Sequence, residues 1–410
     1  MPSSSHHIIL FVYNSFNDPL FKGLLLTYLK RINAEGTAFT FHIITYEQKK
    51  YALTAQEKES ILQELKDQNI YWYPLTYHTG KFILIKKSWD FFNGFLKVLF
   101  LKIKTRSQVL LSFTNIAGSV GFIFSKILNL KFIVFSYEPH SQFLADFGLW
   151  NRNSLKFKSL NKLENLMGKQ GDYIITGTQY LVNKLKAGGA KGKVYRIPSC
   201  VNEDKFIYNE VERNKIRNKY NIGNRKCLIY VGKFGDLYYK EEIPLLFKRL
   251  LQHDKKLFFL VVTPQDLEEI RELFLEVGLG NKDYAITYSD YERIQHYISA
   301  GDIGLVAIKP ETSQRFRSPV KTGEYLMCGI PYIVCKGVSE DDIYAEQNQV
   351  GVVINDFVTV EGKTLMSKMN LLFGEEPQAL RDRCRKVGIA YRGMGQAIET
   401  LKNILEGAVV

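Results

Sequence analysis

The sequence lacks long apolar runs, paired cysteines and an evident Asp-x-Asp metal motif. Its five cysteines are scattered and include no CxxC pair. We therefore expect neither a disulfide framework nor a zinc site. The same cysteine pattern suits a reducing compartment. The apolar run near the amino terminus has no basic region before it and is short for a signal peptide. The apolar stretch from Trp89 to Leu101 is interrupted by Asp90, Gly94 and Lys97, and it is too short to span a bilayer. We expect a cytoplasmic protein that needs no metal ion.

Length and charge limit the number of domains and the kinds of partner that we expect. A chain of 410 residues favours two domains, and a formal net charge of +13 favours anionic partners. Nucleotide phosphates, anionic lipid head groups and nucleic acid all fit that charge. No segment resembles a helix-turn-helix, an RNA-binding or a zinc module, so we expect no nucleic-acid partner.

Short, continuously apolar runs alternate with helix-length segments along the chain, seven before residue 200 and six after it. Continuous apolarity indicates strands buried on both faces, and hence parallel sheets covered by helices. We predict an α/β fold of two doubly wound, Rossmann-like domains that face a cleft. The predicted domains are 1–200 and 201–385, with a helix in 386–410 that could pack back on the first.

The stretch RSPVKTGEYLMCGIPYIVC begins a predicted helix just after Pro319. Proline favours the first turn, and the unpaired N–H groups there form an anion site to which Lys321 adds a cation. Glu324, one turn further, could accept hydrogen bonds from both ribose hydroxyls of a nucleotide sugar. Alternatively, Lys321 and Glu324 form an ordinary surface pair worth ~0.2–0.5 kcal/mol. The pattern alone does not choose between these interpretations.

A second motif, YVGKFGDLYYKEE, follows a predicted strand that ends at Val231. Gly232 permits close approach of the backbone to a phosphate, and Lys233 and Lys240 could hold a diphosphate leaving group. An ordinary lysine-bearing loop with a turn glycine explains the same residues.

Together these motifs resemble a known family. The segments RIPSCVNEDKF, YVGKFGDLYYK, ISAGDIGLVAI and SPVKTGEYLMCGIPYIVC resemble the carboxyl half of retaining GT-B glycosyltransferases of family four, in order and spacing. GDYIITGTQYLVNKLK and the segment from Asp18 to Glu47 are similar to the amino half. The resemblance covers nearly the whole chain, and it is more specific in the carboxyl half.

The resemblance implies a role for each matching residue. Glu324 would bind the ribose, Lys233 and Lys240 would hold the diphosphate, and the backbone from Ser318 to Lys321 would support the distal phosphate or the sugar. Asp302 is expected to be structural. The predicted donor-binding residues are Gly232, Ser318, Pro319, Val320, Lys321 and Glu324.

The sequence departs from the family pattern at two places. The family places a glutamate eight positions before Glu324, where this chain has Phe316. The Gly-rich loop after the first strand is replaced by NSFNDPLF, so the contacts to the acceptor are not implied.

His140 follows the fifth strand, and the resemblance places a histidine there against the transferred sugar at the cleft. A neutral imidazole could donate a hydrogen bond to a sugar hydroxyl. A histidine in a surface loop is the alternative.

The segment 81–106 contains seven basic residues and one acid, with aromatic residues between them. Such a segment could bind anionic lipid head groups. We expect most of its rings in the core of the first domain and its basic residues on a membrane-facing rim.

The sequence thus predicts a metal-independent glycosyltransferase without a bound cofactor. Its donor would be a UDP- or GDP-linked sugar and its acceptor a saccharide or a lipid-linked glycan, in polysaccharide or glycolipid synthesis at the inner face of a membrane. A nucleotide-sugar epimerase of similar fold, or a non-catalytic nucleotide-sugar-binding partner of another transferase, remains an alternative.

Overall fold

The computed structural model describes residues 6–36 and 38–409, and the chain forms two compact units. Unit 1 comprises Met1–Pro198 and Gly395–Val410, and unit 2 comprises Ser199–Met394. Each unit is a parallel sheet flanked by helices. The α/β class with two doubly wound sheets is therefore confirmed. The acceptor and donor roles assigned to the two halves stay predictions.

Unit 1 contains a seven-stranded sheet in the order β3-β2-β1-β4-β5-β6-β7. Its strands are β1 (His6–Val12), β2 (Phe39–Glu47), β3 (Ile70–Thr76), β4 (Val109–Phe113), β5 (Lys131–Phe135), β6 (Tyr173–Thr176) and β7 (Lys193–Arg196). Its helices are α1 (Thr27–Ala34), α2 (Ala55–Lys66), α3 (Ile83–Thr105), α4 (Asn115–Ile127), α5 (His140–Asp146), α6 (Leu155–Gln170) and α7 (Gln179–Ala187).

Unit 2 contains a six-stranded sheet in the order β10-β9-β8-β11-β12-β13. Its strands are β8 (Lys226–Val231), β9 (Leu257–Val262), β10 (Tyr284–Thr287), β11 (Ile303–Val306), β12 (Tyr332–Cys335) and β13 (Gly351–Ile354). Its helices are α8 (Glu210–Lys219), α9 (Glu242–His253), α10 (Leu267–Glu276), α11 (Ile294–Ala300), α12 (Val320–Met327), α13 (Asp341–Gln347), α14 (Gly362–Phe373) and α15 (Pro377–Arg392).

The last helix, α16 (Met394–Val409), packs within unit 1 for most of its length. The Tyr173 hydroxyl on β6 donates to the carbonyl of Gly407 at 2.6 Å, and Lys402 pairs with Glu35 at 3.2 Å. The chain therefore returns to its first unit at its end.

Every one of the thirteen apolar runs forms a strand, and the central strands are buried on both faces. In β1, Leu10 pairs in register with Ile43 of β2 and Leu111 of β4, and all three side chains are fully buried. In unit 2, Phe247 of α9 stacks on Phe259 of β9 with ring centroids 3.7 Å apart. Burial on both faces is why these runs lack polar alternation.

Each sheet has one topological switch point, where successive connections leave in opposite directions. The switch lies between β1 and β4 in unit 1 and between β8 and β11 in unit 2. In open parallel sheets, ligands bind outside the carboxyl ends of the strands at this point. In unit 2 that position belongs to the loop after β8 and the segment between β11 and α12.

The helix α3 corrects one expectation about aromatic packing. Trp89, Phe92 and Phe100 are about half exposed, at 54%, 50% and 49%, while Phe91 and Phe95 are partly buried against the sheet. The prediction that most rings enter the core was wrong. No helix in the described residues is long and apolar enough to cross a membrane.

Candidate functional site

The candidate site in unit 2 is built around the amino end of α12. The helix begins at Val320, after Pro319 in an extended conformation, and no side chain in the described part of unit 2 caps this end. The first N–H groups of a helix have no partner within the helix, and its dipole is positive there. Pro319 and Val320 thus lie at this helix end, and anion binding there stays a prediction.

The Glu324 carboxylate lies one turn into α12 and is 1% exposed. Its Oε2 accepts from the Lys321 ammonium at 2.6 Å, and the Lys321 side chain is 34% exposed. The two residues therefore do pair with each other, as in the simpler interpretation. The pair is not an ordinary surface pair, however, because one member is buried.

Tyr325 fixes α12 against the switch point of the sheet. Its hydroxyl accepts from the N–H of Val231 at 3.1 Å and donates to the carbonyl of Leu305 at 3.2 Å, so it joins the ends of β8 and β11. Burial raises the pKa of this phenol, which keeps it neutral. A Cβ on Gly304 would lie 2.5 Å from the Tyr325 ring, so this strand position requires glycine.

A buried ion pair supports the start of α12 from below. Arg392 and Asp341 are both fully buried, and their side chains meet at 2.5 Å. Asp341 accepts from the Thr322 hydroxyl at 2.6 Å, and the Arg392 guanidinium donates to the Ser318 hydroxyl. The same Ser318 oxygen accepts from the N–H of Ser199 at 2.9 Å. Ser318 is thus held from two sides, by the Arg392 side chain and by the backbone of Ser199.

The loop after β8 carries the other predicted phosphate ligands. A Cβ on Gly232 would lie 2.8 Å from the Tyr230 hydroxyl, which explains the glycine. Lys233 is exposed on this loop. Lys240 pairs with Glu269 of α10 at 3.3 Å, a partner that the sequence did not indicate.

Backbone hydrogen bonds tie this loop to the segment that follows β11. The N–H of Tyr239 donates to the carbonyl of Ala307 at 3.2 Å, and the N–H of Lys309 donates to Leu237 at 3.3 Å. The loop with Lys233 and the segment leading to α12 therefore form one edge of unit 2.

Asp302 is structural, as expected. It lies at the amino end of β11, away from this edge, where it pairs with Arg213 at 2.7 Å and with Arg217 at 3.3 Å. One of its oxygens also accepts from the N–H of Cys227 at 2.7 Å.

His140 begins α5 in unit 1, at the carboxyl end of β5. Its Nδ1 lies 3.2 Å from a Glu138 carboxylate oxygen, and its side chain is 26% exposed. The adjacent Ser141 donates from its hydroxyl at 2.5 Å and from its N–H at 3.2 Å to Glu164, whose pKa is raised by burial. Asn115 also donates to Glu164 at 3.2 Å. Glu164, which the sequence did not single out, anchors the segment that presents His140.

A buried polar cluster around Asp90, which was not predicted from the sequence, lies where β1 and β3 end. The Asp90 carboxylate of α3 is 1% exposed and accepts from the Tyr13 hydroxyl at 3.0 Å and the Lys87 ammonium at 3.4 Å. The imidazole and the N–H of His78 complete its partners. Burial and then the charge of Asp90 raise the pKa of Tyr13. A signal for this group existed in Asp90, an acid inside an otherwise apolar and basic stretch.

Within the described residues, no three His, Cys, Asp or Glu side chains are grouped in a way that could hold a metal ion. All five cysteines are buried as free thiols. The candidate ligands near α12 and the loop after β8 are Lys233, Lys240, Lys321 and the Glu324 carboxylate, a combination that suits an organic anion with hydroxyl groups.

Solved structures with the same fold cover both units. Sucrose-phosphate synthase of Thermosynechococcus elongatus is 13% identical, with a TM-score of 0.72 over 98% of each chain. A glycosyltransferase from Rickettsia africae is 14% identical, with a TM-score of 0.69 over 99% of each chain. HepE of Anabaena, solved in complex with UDP, is 11% identical, with a TM-score of 0.69 over 98% of this chain and 100% of that one. The fold is that of the GT-B glycosyltransferases. No protein-family model matches the sequence, and neither does any curated protein.

Proposed function

We propose that the protein is a glycosyltransferase that moves a sugar from a nucleoside-diphosphate sugar to a saccharide or a lipid-linked acceptor. The base of the donor is uracil or guanine, and transfer proceeds with retention of configuration and without a metal ion. The setting is polysaccharide or glycolipid synthesis, with the protein peripheral at the inner face of a membrane. The proposal is supported by the fold that this chain shares with known transferases and by the arrangement of its own charged residues.

The buried Glu324 carboxylate, one turn below an uncapped helix end, is the observation that carries the proposal. A buried charge is costly unless it is paired, and Lys321 is exposed enough to exchange its carboxylate partner for a phosphate. The carboxylate can then accept from the two ribose hydroxyls. HepE, which has the same fold, was solved in complex with UDP, and this supports a nucleoside diphosphate as the ligand.

Charge stabilisation of the departing diphosphate would come from the edge of unit 2. Lys233, the amino end of α12 and Lys321 supply positive charge there, and Lys240 can add its own when it leaves Glu269, an exposed pair of low strength. His140 is proposed to donate to a hydroxyl of the transferred sugar. Glu138 at 3.2 Å orients its ring.

Phe316 marks where this chain departs from the family pattern. It lies in a 3-10 turn, Thr312–Phe316, just before α12, and it replaces a carboxylate by a ring. A sugar at this position would meet an apolar group, so fewer of its hydroxyls would be hydrogen-bonded there. We therefore assign nucleotide binding to this edge and leave the identity of the sugar to experiment.

The test begins with binding. Calorimetric titration with UDP, GDP, uridine and guanosine should show one nucleoside diphosphate bound more tightly than the other. The corresponding nucleotide sugars are then incubated with candidate acceptors, and release of free nucleotide is followed.

Each outcome separates one alternative. Release of nucleotide that requires an acceptor supports the transferase. Conversion of the nucleotide sugar without an acceptor would indicate an epimerase. Tight binding with neither reaction, across an acceptor panel that includes lipid-linked saccharides, would indicate a non-catalytic binding partner.

A further inference from the structure

The outward face of α3 is apolar along the whole length of the helix. We call it the α3 outer face and define it by six side chains that are 44–71% exposed. They are Ile85, Trp89, Phe92, Leu96, Phe100 and Ile103. Apolar contiguity on this scale at a surface indicates an interaction site.

The spacing of these residues is 4, 3, 4, 4 and 3, which is one stripe of an α-helix. A different stripe, with Gly94, Val98 and Leu101, packs on the sheet of unit 1, roughly half a turn away at about 100° per residue. Since the sheet already covers the inward stripe, the outward one is available to another partner.

The α3 outer face has cations on its borders and no exposed acid. In the segment 81–106 the single acid is Asp90, which points into the core and is held by Tyr13 and Lys87. Six further cations lie in this segment, namely Lys81, Lys86, Lys97, Lys102, Lys104 and Arg106. Lys86 and Lys102 also donate to the backbone carbonyls of Thr79 and Leu128. An apolar stripe bordered by cations is complementary to an anionic bilayer, whose interior accepts the stripe and whose phosphates accept the cations.

A groove beside the stripe adds polar groups next to its rings. It has a volume of about 510 Å³ and runs between α3 and the end of β3. Its lining includes His78, Asn93 and Lys97 together with the Trp89 and Phe100 rings of the stripe. A lipid phosphate can therefore be bound next to the rings.

We infer that the α3 outer face docks the protein on an anionic lipid bilayer and inserts its rings into the boundary between head groups and acyl chains. A second copy of this chain is a poorer occupant. A two-fold symmetric contact would bring two sets of cations together, and the centres of protein interfaces are depleted in lysine. The inference rests on the membrane setting of the proposed function and assigns that setting to a surface.

The test uses the full-length chain and vesicles of phosphatidylcholine with or without phosphatidylglycerol. The variant Trp89→Ser/Phe92→Ser/Leu96→Ser should partition into anionic vesicles roughly tenfold less than the parent, or weaker still. The matched control Leu155→Ser removes a side chain that is 83% exposed on α6 of the same unit and should bind like the parent. The variant Lys86→Gln/Lys97→Gln/Lys104→Gln should lose affinity for anionic vesicles, on the order of fivefold for each lysine, and lose it less at high salt.

Trp89 gives a direct readout of insertion. Its emission should shift to shorter wavelength with anionic vesicles and be quenched by brominated acyl chains, and both changes should disappear in Trp89→Phe while binding persists. Vesicle binding that is unaffected by the triple serine variant would overturn the inference, as would a concentration-dependent dimer that this variant abolishes. Nucleotide titration of the same variants is independent of lipid, so failure of docking and failure of the proposed function are distinguishable.

Discussion

Glu324 pairs with Lys321, and the proposed donor would replace that partner with ribose hydroxyls. The buried carboxylate is neutralised by Lys321 at 2.6 Å, and removal of a buried charge's partner is costly. Lys321 is free to rotate outward because its side chain is 34% exposed. A donor that brings hydroxyls to the carboxylate and a phosphate to the ammonium would satisfy both residues at once.

Glu324→Gln should lower the affinity for nucleoside and nucleoside diphosphate alike, by about ten- to a hundredfold. The amide keeps the size of the side chain but loses the charge and one acceptor oxygen, and hydrogen bonds to charged groups are worth roughly 1.5–3 kcal/mol. Lys321→Gln should weaken the nucleoside diphosphate far more than the nucleoside. Calorimetric titration measures both.

The control is Lys255→Gln, which should bind both ligands like the parent. Lys255 is exposed just before β9, and therefore lies on the amino side of the strands. If Glu324→Gln binds both ligands normally, the carboxylate serves the ion pair alone and the site assignment fails.

Residues that act through distant contacts could not be found from the sequence. Lys321 and Glu324 lie three positions apart, so a pattern shows them. Asp341 and Arg392 are 51 residues apart, and their contact depends on how α13 and α15 pack on α12. Glu164 was missed for the same reason, since it reaches Ser141 from a different helix.

At the scale of elements, strands were predictable and helix orientation was not. A strand buried on both faces is recognisable from its own residues. The helix α3 is apolar on two faces, and composition alone does not say which of them meets the sheet. Asp90 and Gly94 settle the question in the structure, because a Cβ on Gly94 would overlap the Tyr46 hydroxyl that donates to the Asp90 carbonyl.

A buried histidine among β1, β2 and β3 should make the stability of the fold sensitive to acid. His42 on β2 is 4% exposed between His7, at 3.0 Å, and Tyr73, at 3.3 Å. Burial, with smaller contributions from His7 and Lys104, lowers the pKa of His42 to about 4. Between pH 6.5 and pH 4 the unfolded chain binds a proton that the folded chain does not. Lowering the pH through this window therefore lowers the free energy of unfolding, by at most about 3 kcal/mol.

Urea unfolding of the parent and of His42→Gln at neutral pH and at pH 4.5 measures this contribution. The glutamine does not titrate, so the variant should lose less stability on acidification than the parent. Equal losses in both proteins would show that His42 is not responsible. The comparison cancels the opposite effect of Glu47, whose pKa is raised by burial.

At the scale of the whole molecule, clusters of positive charge lie in both units. The net charge of +13 includes the cations beside the α3 outer face in unit 1 and those at the edge of unit 2 that carries Lys233, Lys240 and Lys321. An anionic surface and an anionic donor would thus be attracted to different units. Raised salt should weaken both interactions, because these cations are exposed or half-exposed.

The same distribution leads to the prediction that sugar transfer survives chelation of divalent metals. Three lysines and a helix end carry positive charge where a diphosphate would leave, and such groups can do the work that a bound cation does in other transferases. Activity in EDTA should therefore equal activity without it. Lys233→Gln should lower the turnover rate in both conditions, and added magnesium should not restore it. Loss of transfer in EDTA that manganese or magnesium reverses would show that the lysines are insufficient and that a metal ion completes the site.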